Sequence, residues 1–289
     1  GSIMQQIKSY TNYQEFWHFA KPILLQHEAH NNLALGVALR AEHKPEQLKL
    51  GLVLFVDGQA SKVAIISAFQ GGTLILSHTW ELTDLSVLHA FFISNEVALH
   101  GVVAQVKLSE KFAESWCQRG SVSYELLHHT EMLIMEKLQP SAMIQYSLRQ
   151  ARNSDLAVIT EHCQQFLLDI YPKVPKDEII VSADTVAQQF IAGEVGFILE
   201  DNSRNALGIV EIIRQTPKYQ AISAVAVLPI NRGKGYGRAL ITMICAQIFK
   251  SGKIPLLFVD KNNPLTMHLY YSLGFAAISE TKHYIFKFT

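Results

Sequence analysis

Residues 224–240 run from small and β-branched residues through Pro229 into Arg232-Gly233-Lys234-Gly235-Tyr236-Gly237-Arg238 and then an apolar stretch. A strand that ends at a proline, turns through glycines and enters a helix builds a site for an anion. Glycines at 233, 235 and 237 let a ligand approach the main chain and permit positive φ. The helix that begins there carries N–H groups without intrahelical acceptors, and its positive dipole end faces whatever lies over the turn. A pyrophosphate suits such a place, and Arg232, Lys234 and Arg238 add positive charge around it. The spacing excludes two commoner phosphate loops. The P-loop needs GxxxxGK[ST], and the dinucleotide fingerprint needs a third glycine where Arg238 stands. The competing reading is a turn whose glycines serve only the fold; three cations flanking three alternate glycines weigh against it.

Arg232-Gly233-Lys234-Gly235-Tyr236-Gly237 also fits the [Q/R]-x-x-G-x-[G/A] signature of the GNAT acetyltransferase superfamily. Downstream, Asn263-Pro264-Leu265-Thr266-Met267-His268-Leu269-Tyr270-Tyr271-Ser272-Leu273-Gly274-Phe275 resembles that family's N-x-x-[AS]-x-x-L-Y-x-x-L-G-F helix, with Thr266 as the departure. The resemblance covers residues 147–289. The whole chain is similar to two-domain predicted bacterial acetyltransferases with a divergent N-terminal half, through Gly101-Val102-Val103 and the helix of residues 109–116.

The resemblance implies roles. The pantetheine arm of acetyl-CoA, the cosubstrate, would lie along Val225, Ala226 and Val227 as an added strand. The pyrophosphate would meet the amides of residues 233–238. Asn263 would contact the cofactor while capping the helix behind Pro264. Tyr270 stands where the family keeps a tyrosine that protonates the departing thiolate, and a phenol with a pKa near ~10 can do so. Tyr271 points about 100° away on the same helix, and spacing to Gly274-Phe275 selects Tyr270. The best candidate for the base is Glu211, mid-strand beside the proposed active-site strand. A substrate held in place can also react without a dedicated base.

The elements that must position these residues follow from pattern. In the N-terminal half, helices are expected over 13–27, 32–41, 85–95 and 109–119, the last capped by Ser109. A meander over 50–56, 62–69 and 73–77 turns at Asp57-Gly58 and Gly71-Gly72. Strands follow near 101–106 and 123–138, and Gln139-Pro140-Ser141 reads as a linker. The C-terminal half opens with a strand at 147–151 and a helix to about 169. A loop covers 171–182, a candidate wall of the acceptor pocket together with the N-terminal domain. A helix at 184–192 is followed by strands at 196–200, 206–215 and 219–228. Then come a helix at 235–250, a strand at 255–259, a helix at 264–273 and a last strand near 283–288. The two halves share a loose order of elements. The expected fold class is α/β (α+β), a mixed, mainly antiparallel twisted sheet with helices on both faces. The expected domains are a divergent GNAT-like one over 1–140 and an acyl-CoA-dependent N-acyltransferase domain over 145–289.

Composition narrows the class. At 289 residues, 49% apolar and 17% charged, the chain can bury two ordinary cores. Lys+Arg and Asp+Glu balance at 25 each, so nothing in net charge points to nucleic acid or an anionic membrane. Cys117, Cys163 and Cys245 form no CxxC pair and fit a reducing cytoplasm. Gly1-Ser2 ahead of Met4 reads as a cloning scar, and no leader is expected. The apolar stretch 87–106 is broken by His89, Asn95, Glu96 and His100, which argues against a membrane span. No metal is expected: His128-His129 point to opposite strand faces, while His162 with Cys163 and His268 with His283 lack a third ligand. The reading is therefore transfer of acetyl from acetyl-CoA to a primary amine, on a small molecule or peptide, by direct attack. The alternatives are a longer acyl group, or a CoA-binding sensor or interaction module without catalysis.

Overall fold

A computed structural model describes residues 3–139, 145–172 and 174–289. Its contacts divide the chain into two units, Gly1–Leu133 with Val259–Pro264 and Ala277–Thr289, and Ile134–Phe258 with Leu265–Ala276.

The chain opens with β1 (Gln5–Tyr10), α1 (Tyr13–Gln26) and α2 (Asn32–Ala41), followed by β2 (Leu48–Val56), β3 (Gln59–Ser67) and β4 (Thr73–Leu76). Then come α3 (Leu85–Ser94), β5 (Gly101–Gln105), α4 (Val106–Cys117) and β6 (Val122–Ile134). Helix α1 starts where the Asn12 side chain accepts from the Glu15 amide, and it buries Phe16, Ala20, Ile23 and Leu24 on one face. Asp57 (φ 49°) and Gly58 (φ 82°) make the tight turn between β2 and β3. Strand β4 pairs in parallel with β5, as the helical crossover α3 requires.

The second run is β7 (Ser147–Gln150), α5 (Leu156–Ile170), α6 (Lys176–Ala192), β8 (Gly196–Glu200), β9 (Ala206–Gln215) and β10 (Tyr219–Ala226). It continues through α7 (Tyr236–Lys250), β11 (Ile254–Asp260), α8 (Pro264–Ser272) and β12 (Ala276–Phe288). Both runs follow one succession: strand, two helices, three strands, helix, strand, helix, strand. The loose order seen in the sequence is thus a repeat of architecture. In unit 2 the sheet order is β11-β10-β9-β8-β7, antiparallel except for the parallel pair β10–β11. The fold class is the mixed, mainly antiparallel one expected.

The last strand lies in unit 1. Strand β12 pairs antiparallel with β5, from Thr281 opposite Gln105 to Ile285 opposite Gly101. It buries Tyr284 and Phe286 in a core with Phe112 and Trp116, and this apolar burial keeps it there.

Four expectations change. Strand β1 was not anticipated. Ser109 does not cap α4: it lies buried inside the helix, its hydroxyl donating to the Gln105 and Val106 carbonyls at 3.1 Å. Helix α6 starts at Lys176 and not near 184, so only the first part of 171–182 is loop. Pro175 takes the cap position, where a missing N–H costs little, and Asp177 and Glu178 suit the first turn. Strand β12 begins at Ala276, well before 283. Pro140 and Ser141 of the expected linker lie outside the described residues. Among the described residues no helix is long and apolar enough to cross a membrane.

Unit 2 is pinned at its edge by Arg149, which forks onto both Asp155 oxygens at 2.7 Å and also meets Glu200. Asp155 in turn accepts from the Arg152 amide at 2.7 Å. The hydrogen bonds from Arg149 are the main cause that holds the Asp155 carboxyl below its ordinary pKa. A carboxyl lowered in the folded state stabilises above its unfolded pKa and loses that contribution as pH falls through the folded value. Asp155→Asn is expected to cost about 2 kcal/mol at pH 7 by chemical denaturation. The difference from the native chain should shrink below about pH 4, where the carboxyl protonates.

Candidate active site

Parallel pairing between β10 and β11 runs from Tyr219 opposite Ile254 to Ile222 opposite Leu257 and stops there. On its other side β10 continues along β9, with Val225 opposite Val210 and Ala226 opposite Ile209, after an irregularity between Ile222 and Val225. A bulge of this kind bends its strand away from a neighbour. The β11-facing edge of Val225, Ala226 and Val227 is therefore left without a strand partner. Gly208 lets α7 press close on β9 behind this edge, since a Cβ there would meet Leu240 at 2.7 Å and the Ala226 carbonyl at 3.0 Å.

The open edge borders a cleft of about 340 Å³. Val225, Ala226 and Val227 form one wall, Gly233, Gly235, Tyr236 and Gly237 the turn, and Thr266, Leu269 and Tyr270 of α8 the opposite side. Gly233 (φ 78°) and Gly235 (φ 83°) take the left-handed conformation that favours glycine. Gly237 has no such need, and a Cβ added there would meet nothing within 4 Å. The folded chain alone therefore does not require glycine at 237. The earliest bond of α7 is from the Ala239 amide to the Gly235 carbonyl at 3.1 Å. The amides of Tyr236, Gly237 and Arg238 thus lack intrahelical acceptors beside the cleft. Exposed N–H groups, a positive helix end and an unfilled cradle together suit a pyrophosphate.

The three cations differ in setting. Arg232 lines the cleft, but its guanidinium bonds the Asp169 carboxylate at 2.6 Å and the Val227 carbonyl at 3.1 Å. It ties the end of β10 to α5, and Asp169 balances its charge. Arg238 reaches the Ser272 hydroxyl at 2.9 Å and links α7 to α8. Lys234 is exposed on the turn. Neither of these two lines the cleft, so an anion placed there would meet chiefly backbone amides.

Tyr270 is buried against Phe275, with ring centroids 5.7 Å apart, yet lines the cleft. Burial, with a smaller contribution from Cys245 nearby, pushes its pKa up to about 12. The phenol is therefore a proton donor throughout the neutral range. Tyr271 is exposed and outside the cleft. Asn263 stands just before α8, exposed, its amide donating to the Asp260 carbonyl at 3.0 Å, and is not among the lining residues. Glu211 sits opposite Gly196 on β9, half-buried. Its charge reaches Cys163 of α5, whose thiol is pushed up to about 12, mainly by burial. It too lies away from the cleft lining.

Sequence reasoning missed the contribution of α5. Gln165, Phe166 and Asp169 line the cleft, and Gln165 donates to Asp169 at 3.0 Å behind Arg232. The only sequence signal was their spacing along one helix face. His162 is a core residue that bonds the Val158 carbonyl, and Cys163 and Cys245 are buried.

The FR47-like protein family model matches residues 194–285, which hold both glycine-rich turn and Tyr270. The whole chain is similar in structure to a GNAT-family acetyltransferase from Colwellia psychrerythraea, with TM-score 0.58 and 14% identity over 98% of this chain and 100% of that one. A GCN5-related N-acetyltransferase from Sphaerobacter thermophilus gives 0.58 and 13%, over 99% of this chain and 95% of that one. A tandem GNAT protein from the clavulanic acid biosynthesis pathway gives 0.58 and 9%, over 99% and 98%. No curated protein matches the sequence. The chain thus has the GNAT acetyltransferase fold from end to end, and its second half carries the FR47-like match.

Proposed function

We propose that the chain is an N-acetyltransferase that moves the acetyl group of acetyl-CoA to a primary amine by direct attack. The observation that carries this reading is the open edge of β10 running into the ligand-sized gap over Gly233, Gly235 and Gly237. When bound, acetyl-CoA supplies an activated acyl group on a thiolate that can leave. The backbone of Val225 and Ala226 holds the arm of the cosubstrate like an added strand. The Val227 carbonyl is already taken by Arg232, which fixes where that pairing ends. Amides of residues 233–238 hold the pyrophosphate. Tyr270 gives its hydroxyl proton to the departing sulfur. Glu211, beneath α5, acts as base only through intervening water or substrate, and proximity supplies much of the rate.

In this reading the divergent N-terminal half is the first of two tandem GNAT-like domains. Incubating the chain with acetyl-CoA and a panel of primary amines, while following free thiol, tests the proposal. Amine-dependent thiol release is the expected result. Tight CoA binding without release under any amine would identify a sensor, and preference for a longer acyl-CoA would redirect the substrate.

A further inference from the structure

Unit 1 repeats the element order of unit 2, yet its β4-to-α3 connection holds no glycine-rich turn. Where unit 2 has the end of β10 beside the last turn of α5, unit 1 has the end of β4 beside the last turn of α1. Three histidines meet in that place. His27 closes α1, His30 lies in the turn before α2, and His78 follows β4. One ring nitrogen from each lies within 4.8 Å of the others. The ring of His78 is 4.1 Å from that of His30 and 4.8 Å from that of His27, centroid to centroid. All three are half-buried.

Two of the three rings have a partner outside the cluster. The Nδ1 of His78 is held by the Gln105 amide at 2.6 Å, at the end of β5. His30 hydrogen-bonds the backbone of Ile278 in β12. A histidine that ligates a metal keeps its second nitrogen on such a partner, which fixes the ring and its tautomer. The amide of Gln105 needs only to present its oxygen for His78 to donate from Nδ1 and offer Nε2 inward. The backbone beneath is fixed as well: Asn31 accepts from the His78 amide at 2.8 Å and donates to the Leu24 carbonyl at 3.1 Å.

We propose that His27, His30 and His78 form a binding site for a divalent transition-metal ion, best Zn²⁺, with water at the remaining position. Three imidazoles suit Zn²⁺. Zinc–nitrogen bonds of about 2.1 Å in a tetrahedron put ligand nitrogens roughly 3.4 Å apart, which small rotations of the rings supply. The bound ion ties the α1–α2 turn to the end of β4, so it stabilises unit 1 independently of acyl transfer.

Calorimetric titration of ZnCl₂ into the metal-stripped full chain tests this. The expected result is one ion per chain, bound at roughly micromolar Kd or tighter, with a higher Tm. His30→Gln and His78→Gln should each weaken binding about 100-fold, and Gln105→Leu about 10-fold. Co²⁺ in the unaltered chain should give visible d–d bands of a tetrahedral nitrogen site, a readout that needs no variant to fold. Millimolar Zn²⁺ affinity, absent Co²⁺ bands, or a folded ligand variant with undiminished affinity would overturn the proposal.

Discussion

Tyr270→Phe is expected to lower kcat roughly 100-fold or more while leaving the Kd for acetyl-CoA within about 2-fold. The phenol is buried yet borders the cleft, so removal of one oxygen deletes a proton donor and little packing. General acid catalysis contributes about 10²–10⁴-fold, which sets the size of the effect. Its pKa, pushed up to about 12 by burial, gives the role a second signature. The unfolded phenol ionises near ~10 and the folded one later. As pH rises through that interval the unfolded state releases its proton first, and stability is lost. The native chain should therefore lose stability between about pH 10 and 12 relative to the Phe variant. Unchanged kcat at saturating acetyl-CoA would remove Tyr270 from the mechanism.

Gly237→Val separates ligand space from fold space. A Cβ at 237 meets nothing within 4 Å, and no positive φ is involved, so a side chain can branch there without a clash at its first atom. Glycine inside a helix is costly relative to other residues, so Tm should hold or rise slightly. The added methyl groups stand over amides that are expected to hold pyrophosphate, and the Kd for acetyl-CoA should rise at least about 10-fold, or 1.4 kcal/mol. Equilibrium binding and a thermal melt on the same preparation read both effects. A variant that binds as before would move the cosubstrate away from this turn.

Much of this was legible in the sequence because it is local. Glycine-rich turn, helix stops and alternating apolar strands depend on neighbours a few residues away, and the strand–turn–helix at 219–250 follows directly from them. Long-range facts were not legible. That β12 joins β5 depends on burying Tyr284 and Phe286 among residues from the other end of the chain. That Asp169 of α5 neutralises Arg232 needs α5 brought against the turn after β10, and the cation cluster is weaker in space than it reads in sequence. Helix α6 reads short in the sequence because prolines signal loop, although Pro175 stands where a helix tolerates it. His27, His30 and His78 are not legible as a set in the sequence, because the fold assembles them from a helix end, a turn and the residues after a strand.

The central claim is that the open edge of β10 and the turn after it hold coenzyme A. A crystal structure of the chain grown with saturating CoA tests it most directly. The expected result is pyrophosphate within about 3 Å of amides in residues 233–238, with the pantetheine arm along Val225 and Ala226 and its sulfur near Tyr270. CoA bound elsewhere, or a cleft left empty at saturation, would contradict it.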